Sequence, residues 1–466
     1  MKVVKIANGA GFLGDSLAAP RRLVESAAVN YLTIEHLAEL TMSILARQRE
    51  KNPQAGYAED FVEIVRSLVA LLPTQPQLKI IANSGGMNPA ACAAAVSQAL
   101  CEHDLGEFPI GVVSGDDLLG QLDEIQASGC NFTNLDTGDS LSSAGLRAKI
   151  VSANAYLGAR PIADALQAGA RMVITGRVAD ASLTLGPLVH EFGWSWDDLP
   201  RIAAGTVAGH LIECGAQVTG GYATEWAQYH LTDVGYPIAE VSENGDTVIT
   251  KPLGSGGRVC RQTVAEQLVY EIGDPAHYLT PDIDCDFTTV QLQDLGNDRV
   301  LVTGASGSPA TDTYKVSVAY RDGFMASGQL LVYGLDCREK AQACGDMILA
   351  RVQAAGFSLA RTNIELLGYG AGVPGSWFWR KYQPPGEIVL RVTVHDANRS
   401  AVEQFTREIA PLITSGPAGL AGYASGRPTV RPVFAYWPTL VPKSALTPRF
   451  EVRPAEEWRA RSGDRE

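Results

Sequence analysis

Residues 79–89 read Lys79-Ile-Ile-Ala82-Asn83-Ser84-Gly85-Gly86-Met87-Asn88-Pro89. A short β-branched apolar run, a glycine turn, then Asn as helix cap with Pro at the first helical position predict strand, turn and helix in direct succession. The Ser84–Gly86 backbone would aim N–H groups at whatever faces the helix start. That suits a carboxylate or phosphate oxygen, although a plain well-capped turn would look the same.

The same grammar extends on both sides. Strand candidates at 3–7, 31–34, 110–113 and 172–175 alternate with helical stretches such as 39–48. Such alternation favours a parallel sheet with right-handed crossovers. From about residue 285 the pattern changes. Alternating runs at 313–320 and 328–333 flank Arg321-Asp322-Gly323, a hairpin signal. A helix at 338–354, a strand at 387–394, a helix at 401–412 and a strand at 429–435 follow. The expected fold is α/β: a parallel Rossmann-like sheet domain over 1–280, then a smaller α+β ferredoxin-like domain over 285–455. Gly273-Asp274-Pro275 and Pro281-Asp282 suggest a break between 270 and 286, and the charged 456–466 reads as a frayed tail. The aromatic, proline-rich 371–386 reads as a packed loop.

With 466 residues, 46% hydrophobic and 19% charged, the chain has apolar material for two cores. A net charge of −13 argues against nucleic-acid binding and requires any phosphate or CoA site to be built locally. Eight scattered cysteines form no CxxC pair, which points to reduced thiols. No signal-peptide core follows Met1, and no run approaches the roughly 18 apolar residues of a membrane span. The expected setting is the cytoplasm.

In a parallel sheet, ligands bind beyond the carboxyl ends of the strands. The residues following the strands are Gly9–Asp15, Glu35 with His36, Asn83–Asn88, Ser114-Gly115-Asp116-Asp117, and Gly176-Arg177 with Asp180. Gly9-Ala-Gly-Phe-Leu-Gly14 spells GxGxxG, with Glu35 twenty-one residues beyond Gly14. A dinucleotide site would look like this, yet Asp15 would repel a pyrophosphate, and a tight turn needing glycine accounts for the motif equally.

His210, Glu213 and Cys214 fall at i, i+3 and i+4 of an apolar stretch, on one helix face. They suit nucleophilic or acid–base chemistry, could ligate a metal with further partners, or could satisfy one another in a core. Arg177 with Asp180 at i+3 is an anion-binding Arg braced by a carboxylate, or a structural ion pair. Gly254-Ser-Gly-Gly257-Arg258 is an anion nest or a flexible turn.

These motifs carry a resemblance. The glycine turn 9–15, Asn83–Pro89, Ser152-Ala-Asn-Ala-Tyr-Leu-Gly158, Thr175-Gly-Arg-Val-Ala-Asp180, the block Gly209–Gly221, and 267–281 resemble the acyclic terpene utilisation (AtuA) family. The family usually has Ala where Ser84 stands. The later segment is similar to the family's accompanying ferredoxin-fold domain, with Arg431-Pro-Val and Trp437-Pro-Thr-Leu as its closing strand region. The resemblance implies a role in bacterial catabolism of branched acyclic terpenes or related acids through acyl-CoA intermediates.

The leading expectation is an enzyme acting on a branched acid or acyl-CoA by acid–base chemistry next to a carbonyl. Glu213, His210, Cys214 and Asp180 are the candidate catalytic residues, with Glu213 or His210 as base. Arg177, Asn83, Ser84, Gly85, Gly86, Asp15 and Asp117 are the substrate-binding candidates, with Asn83 and the 84–86 backbone donating to an enolate oxygen. No cofactor or metal is assigned, and CoA enters as a substrate moiety. Partners are the small acid or acyl-CoA, neither nucleic acid nor membrane, a second copy of the chain, and a small companion protein. The alternative is a non-catalytic scaffold or ligand-binding subunit.

Overall fold

The computed structural model describes residues 2–142, 144–370 and 386–463. The expected packed loop, with Trp377-Phe378-Trp379, lies almost wholly outside the described residues. Contacts divide the chain into two compact units: 1–319 with 436–466, and 320–435.

The first unit is built on a ten-stranded mixed sheet. Its centre holds β1 (Val3–Asn8), β2 (Tyr31–Ile34), β3 (Lys79–Ala82) and β4 (Pro109–Ser114). Off this sheet lies β5 (Ile150–Ala155); β6 (Met172–Thr175) rejoins it between β3 and β4. The parallel order is β1-β2-β3-β6-β4. It steps one way from β1 to β3, unlike the order 3-2-1-4-5-6 of a dinucleotide-binding sheet. Antiparallel strands flank this centre, with Ile238–Ser242 beside β1 and Arg449–Pro454 beside β4.

Both faces of the sheet are covered, so β2 and β6 are buried at every residue. One face packs Leu32, Ile34, Ile80 and Ile110 against Phe61, Ile64, Val96 and Leu100 of two helices. Helices Ser182–Phe192 and Leu199–Glu213 pack against β2 and β1. Asn88 caps helix Pro89–Cys101 as the sequence indicates, accepting from Ala91 N.

Two expectations are corrected here. The stretch 270–286 is not a linker: Pro281-Asp282 turns between Tyr278–Leu279 and Ile283–Asp286, and the latter also pairs with Ser306–Pro309 inside the first unit. The tail is not frayed along its length. Helix Ala455–Gly463 buries Ala455 and Trp458, and the Trp458 indole donates to Ile110 O at 3.1 Å.

The second unit follows the order strand, helix, strand, strand, helix, strand. Its sheet places Arg361–Leu367 next to Glu387–Asp396, then Thr313–Tyr333, then Leu420–Gly422, all antiparallel. Helices Cys337–Ala354 and Arg399–Arg407 bury Cys344, Ile348, Val402 and Phe405 on one face. The expected hairpin at Arg321-Asp322-Gly323 is absent, because Thr313–Tyr333 runs through as one strand. Gly323 takes φ +83 there, with the Asp396 carbonyl where a Cβ would sit, so the signal marks a bend within the strand.

Candidate acid-base site at the carboxyl edge of the sheet

The strand ends converge on Arg177, which follows β6. Its Nη1 donates to Leu37 O at 2.7 Å and lies 2.9 Å from Asp180 Oδ1 and 3.9 Å from Glu35 Oε1. The guanidinium stacks on Tyr156 at 4.2 Å, just beyond β5. The Tyr156 hydroxyl donates to Glu39, which also pairs with Lys315 at 3.2 Å. From the other side, Asn8 at the end of β1 holds the last turn of helix Leu199–Glu213, donating to Ile212 O at 2.6 Å and Glu213 O at 2.7 Å. The helix terminus and the strand ends therefore belong to one neighbourhood.

Its electrostatics follow from burial. Glu213 is held well above the usual carboxylate range by burial first, then by the charges of Asp180 and Glu271, with Arg177 opposing. Burial and Asp180 likewise raise Glu35, and burial raises Asp180 against the pull of Arg177. Burial brings His210 down to about 4. Its Nε2 faces Gln267 O at 3.0 Å and must carry the hydrogen, so Nδ1 is the acceptor at 3.1 Å from Glu213 Oε1. The proton of this pair therefore sits on Glu213, a carboxylic acid donating to a neutral imidazole. Among the described residues, the second oxygens of Glu35 and Glu213 and Arg177 Nε are buried without a hydrogen-bond partner. Such atoms favour a polar guest.

A family model described as the acyclic terpene utilisation family protein AtuA matches residues 4–452. The chain belongs to the AtuA family. Membership implies a role in acyclic terpene utilisation. No curated protein and no solved structure matches the chain.

Of the residues singled out in this AtuA sequence, the structure gathers Arg177, Asp180, His210 and Glu213. Cys214 sits past the helix end rather than on its face, and its backbone abuts Gly11. Burial, then the Glu213 carboxyl, raises its thiol, which disfavours the thiolate form. Asn83 is engaged at both ends, donating to Glu35 and accepting from His36 N at 2.8 Å. Ser84 Oγ meets His36 Nδ1 at 2.9 Å. A Cβ on Gly85 would strike Thr175 O, and one on Gly86 would strike Leu45. Residues 83–86 are thus a packed turn whose side chains and glycines are occupied by internal contacts.

Asp15 folds back onto Gly11 N at 2.9 Å and accepts from Tyr236, so the glycine motif closes on itself. Asp117 points away, to Arg49 at 3.1 Å. Its neighbour Asp116 turns inward instead, accepting from Arg177 N and Asn154 Nδ2, both at 2.9 Å. Burial lifts Asp116 to about 6. Glu39 and Lys315 lay in no motif, and Tyr156 lay in the Ser152–Gly158 block without being singled out. Their place depends on β5 and the strand Thr313–Tyr333 lying together, with Tyr156 N donating to Lys315 O. Among the described residues no group of three or more His, Cys, Asp or Glu side chains is placed to hold a metal. None of the helices is long and apolar enough to cross a membrane, again among the described residues.

Proposed function

We propose that this AtuA protein is an enzyme of terpene catabolism acting on a branched carboxylic acid or its acyl-CoA. The reaction is acid–base chemistry next to a carbonyl, leading to hydration, isomerisation or C–C cleavage. The observation that carries this is the protonated Glu213, hydrogen-bonded to neutral His210 and sharing a field with Asp180 and Arg177. Carboxyl groups held in different protonation states divide into an acid and a base. Asp180, with its side chain one-third exposed at 33%, removes the proton α to the carbonyl. Glu213 gives its proton to the carbonyl oxygen, forming an enol, and proton return at another carbon isomerises the substrate. Arg177 Nη1 is taken up by Asp180 and Leu37 and the guanidinium face by Tyr156, so it positions the base. The half-exposed Lys315 takes over the grip on a substrate carboxylate.

The second unit's strand order, fourth-first-third-second by chain position, supports reading it as ferredoxin-like. A non-catalytic ligand-binding subunit is the second reading, favoured by the internal engagement of Asn83, Ser84 and Arg177.

Incubation in deuterated water with branched acids and branched acyl-CoAs, followed by mass spectrometry, separates the two. Deuterium entering the carbon α to the carbonyl, and lost in Glu213→Gln and Asp180→Asn, supports the enzyme. Binding of a ligand without exchange would move the assignment to the subunit.

A further inference from the structure

Glu35 is a buried carboxyl that the proposed chemistry leaves unused. It follows β2 directly, and its Oε1 is taken twice over: Asn83 Nδ2 donates to it, and Leu37 N donates at 2.9 Å. The Asn83 amide is fixed in this sense, because its own oxygen accepts from His36 N at 2.8 Å. Oε1 is therefore the carbonyl-type oxygen of the group, and a proton on Glu35 belongs on Oε2.

Charge balance puts a proton there. Arg177 Nη1 lies 2.9 Å from Asp180 Oδ1 and 3.9 Å from Glu35 Oε1, and one guanidinium offsets one carboxylate. Asp180 is nearer and its side chain is 33% exposed, against 6% for Glu35, so Glu35 is the costlier place for an anion. Burial and the neighbouring Asp180 charge both push Glu35 well above the usual carboxylate range. Among the described residues, Glu35 Oε2 and Arg177 Nε are buried without a partner. Both are then donors lacking an acceptor, on two side chains that already adjoin. Two such donors beside an ionised base suit an oxygen that gains negative charge as it departs.

We infer that Glu35 is a second acid and that the substrate carries a hydroxyl on the carbon β to its carbonyl, which leaves as water with the Glu35 proton. The inference rests on Asp180 being the α-base, and it selects hydration and its reverse over isomerisation and C–C cleavage. Asp180 takes the α proton, and the freed electron pair becomes the C=C bond. The β C–O bond breaks with its pair on oxygen, and the proton from Glu35 Oε2 completes the water. Arg177 Nε donates to the departing oxygen, while Glu213 serves the carbonyl oxygen. Asp180 ends protonated and Glu35 ionised, and proton exchange with solvent resets both.

The test uses the whole chain with 3-hydroxyoctanoate and its CoA thioester in deuterated, oxygen-18-labelled water. Mass spectrometry reads deuterium at the α carbon and oxygen-18 at the β hydroxyl, and both labels should enter with the wild type. In Glu35→Gln, oxygen exchange should fall about a hundredfold while α-deuteration falls less than about tenfold. Melting curves accompany this variant, whose amide oxygen still accepts from Asn83 and Leu37. Deuterium without oxygen-18 in the wild type overturns the inference and leaves Asp180 as base. Equal oxygen exchange in Glu35→Gln overturns it as well. Entry of neither label removes the α-base reading and the inference with it. Independently of any substrate, the infrared difference between wild type and Glu35→Gln near neutral pH should show an un-ionised carboxyl, and a carboxylate band there would sink the second acid.

Discussion

The side-chain amide of Asn8 donates to the main-chain carbonyl of Glu213 at 2.7 Å, fixing the end of the first strand to the end of a helix 205 residues later. A second bond from the same nitrogen reaches Ile212 O. The amide thus satisfies two terminal helix carbonyls that would otherwise be buried and unpaired.

Asn8→Ala should therefore cost about 2–4 kcal/mol, the loss of two buried hydrogen bonds with their acceptors left unpaired. Chemical denaturation of the purified variant measures this directly. A change below about 0.5 kcal/mol would mean that the clamp contributes nothing to stability.

Glu213→Gln should separate stability from turnover. A protonated carboxyl and an amide both donate to His210 Nδ1 and both are neutral, so stability should change by less than about 1 kcal/mol. The ability to deliver a proton disappears. Melting curves beside deuterium-exchange rates test the pair, and a variant that exchanges at wild-type rate removes Glu213 from the chemistry.

Asp116 and the buried histidines should give pH dependences of opposite sign. The folded-state value of Asp116 is raised to about 6 from 3.8. Its contribution is whole below pH 3.8 and is lost as pH rises through about 6. Between pH 4 and pH 8, stability should therefore move in favour of Asp116→Asn over the wild type by up to about 3 kcal/mol. His36 and His210 are both depressed to about 4, mainly by burial. Their contribution is present above pH 6.5 and lost as pH falls through about 4. Ring signals in NMR should keep neutral shifts at pH 5.5, and a midpoint above 6 in either ring would contradict this.

Two glycines of one motif should respond differently. A Cβ on Gly11 would lie 2.6 Å from the Cys214 carbonyl carbon, so Gly11→Ala must displace backbone and should cost about 2 kcal/mol or more. At Gly14 nothing among the described residues lies within 4 Å, and the φ of +95 is what resists a side chain. Gly14→Ala should cost about 1 kcal/mol. Denaturation midpoints of the two variants give the comparison.

Local sequence carried the strands of the sheet centre well, because a β-branched run ended by glycine or an Asn-Pro cap leaves little choice of conformation. The ends of β2, β3 and β6 could be read directly, as could the grouping of Arg177 with Asp180 and of His210 with Glu213, since helix and turn spacing are short-range. What escaped reading was orientation. Asp116 and Asp117 are adjacent and chemically alike, and only the packing of Gly176 against Asp116 decides which one faces Arg177. Tyr156 and Lys315 meet through pairing of segments far apart in sequence, which no local pattern records. The hydrogen bonds of Asn83 could not be read because its partners, Glu35 and His36, lie one strand away.

The strand Arg449–Pro454 and Trp458 close the edge of β4, yet they are reached only after the second unit has been traversed; Trp458 lies 348 residues beyond the carbonyl it binds. A ribosome making this chain therefore releases an almost complete sheet with one apolar border uncovered throughout synthesis of residues 320–435. Through that interval the nascent protein depends on chaperones, or on rapid folding of the inserted unit, to keep β4 from pairing with a neighbouring chain.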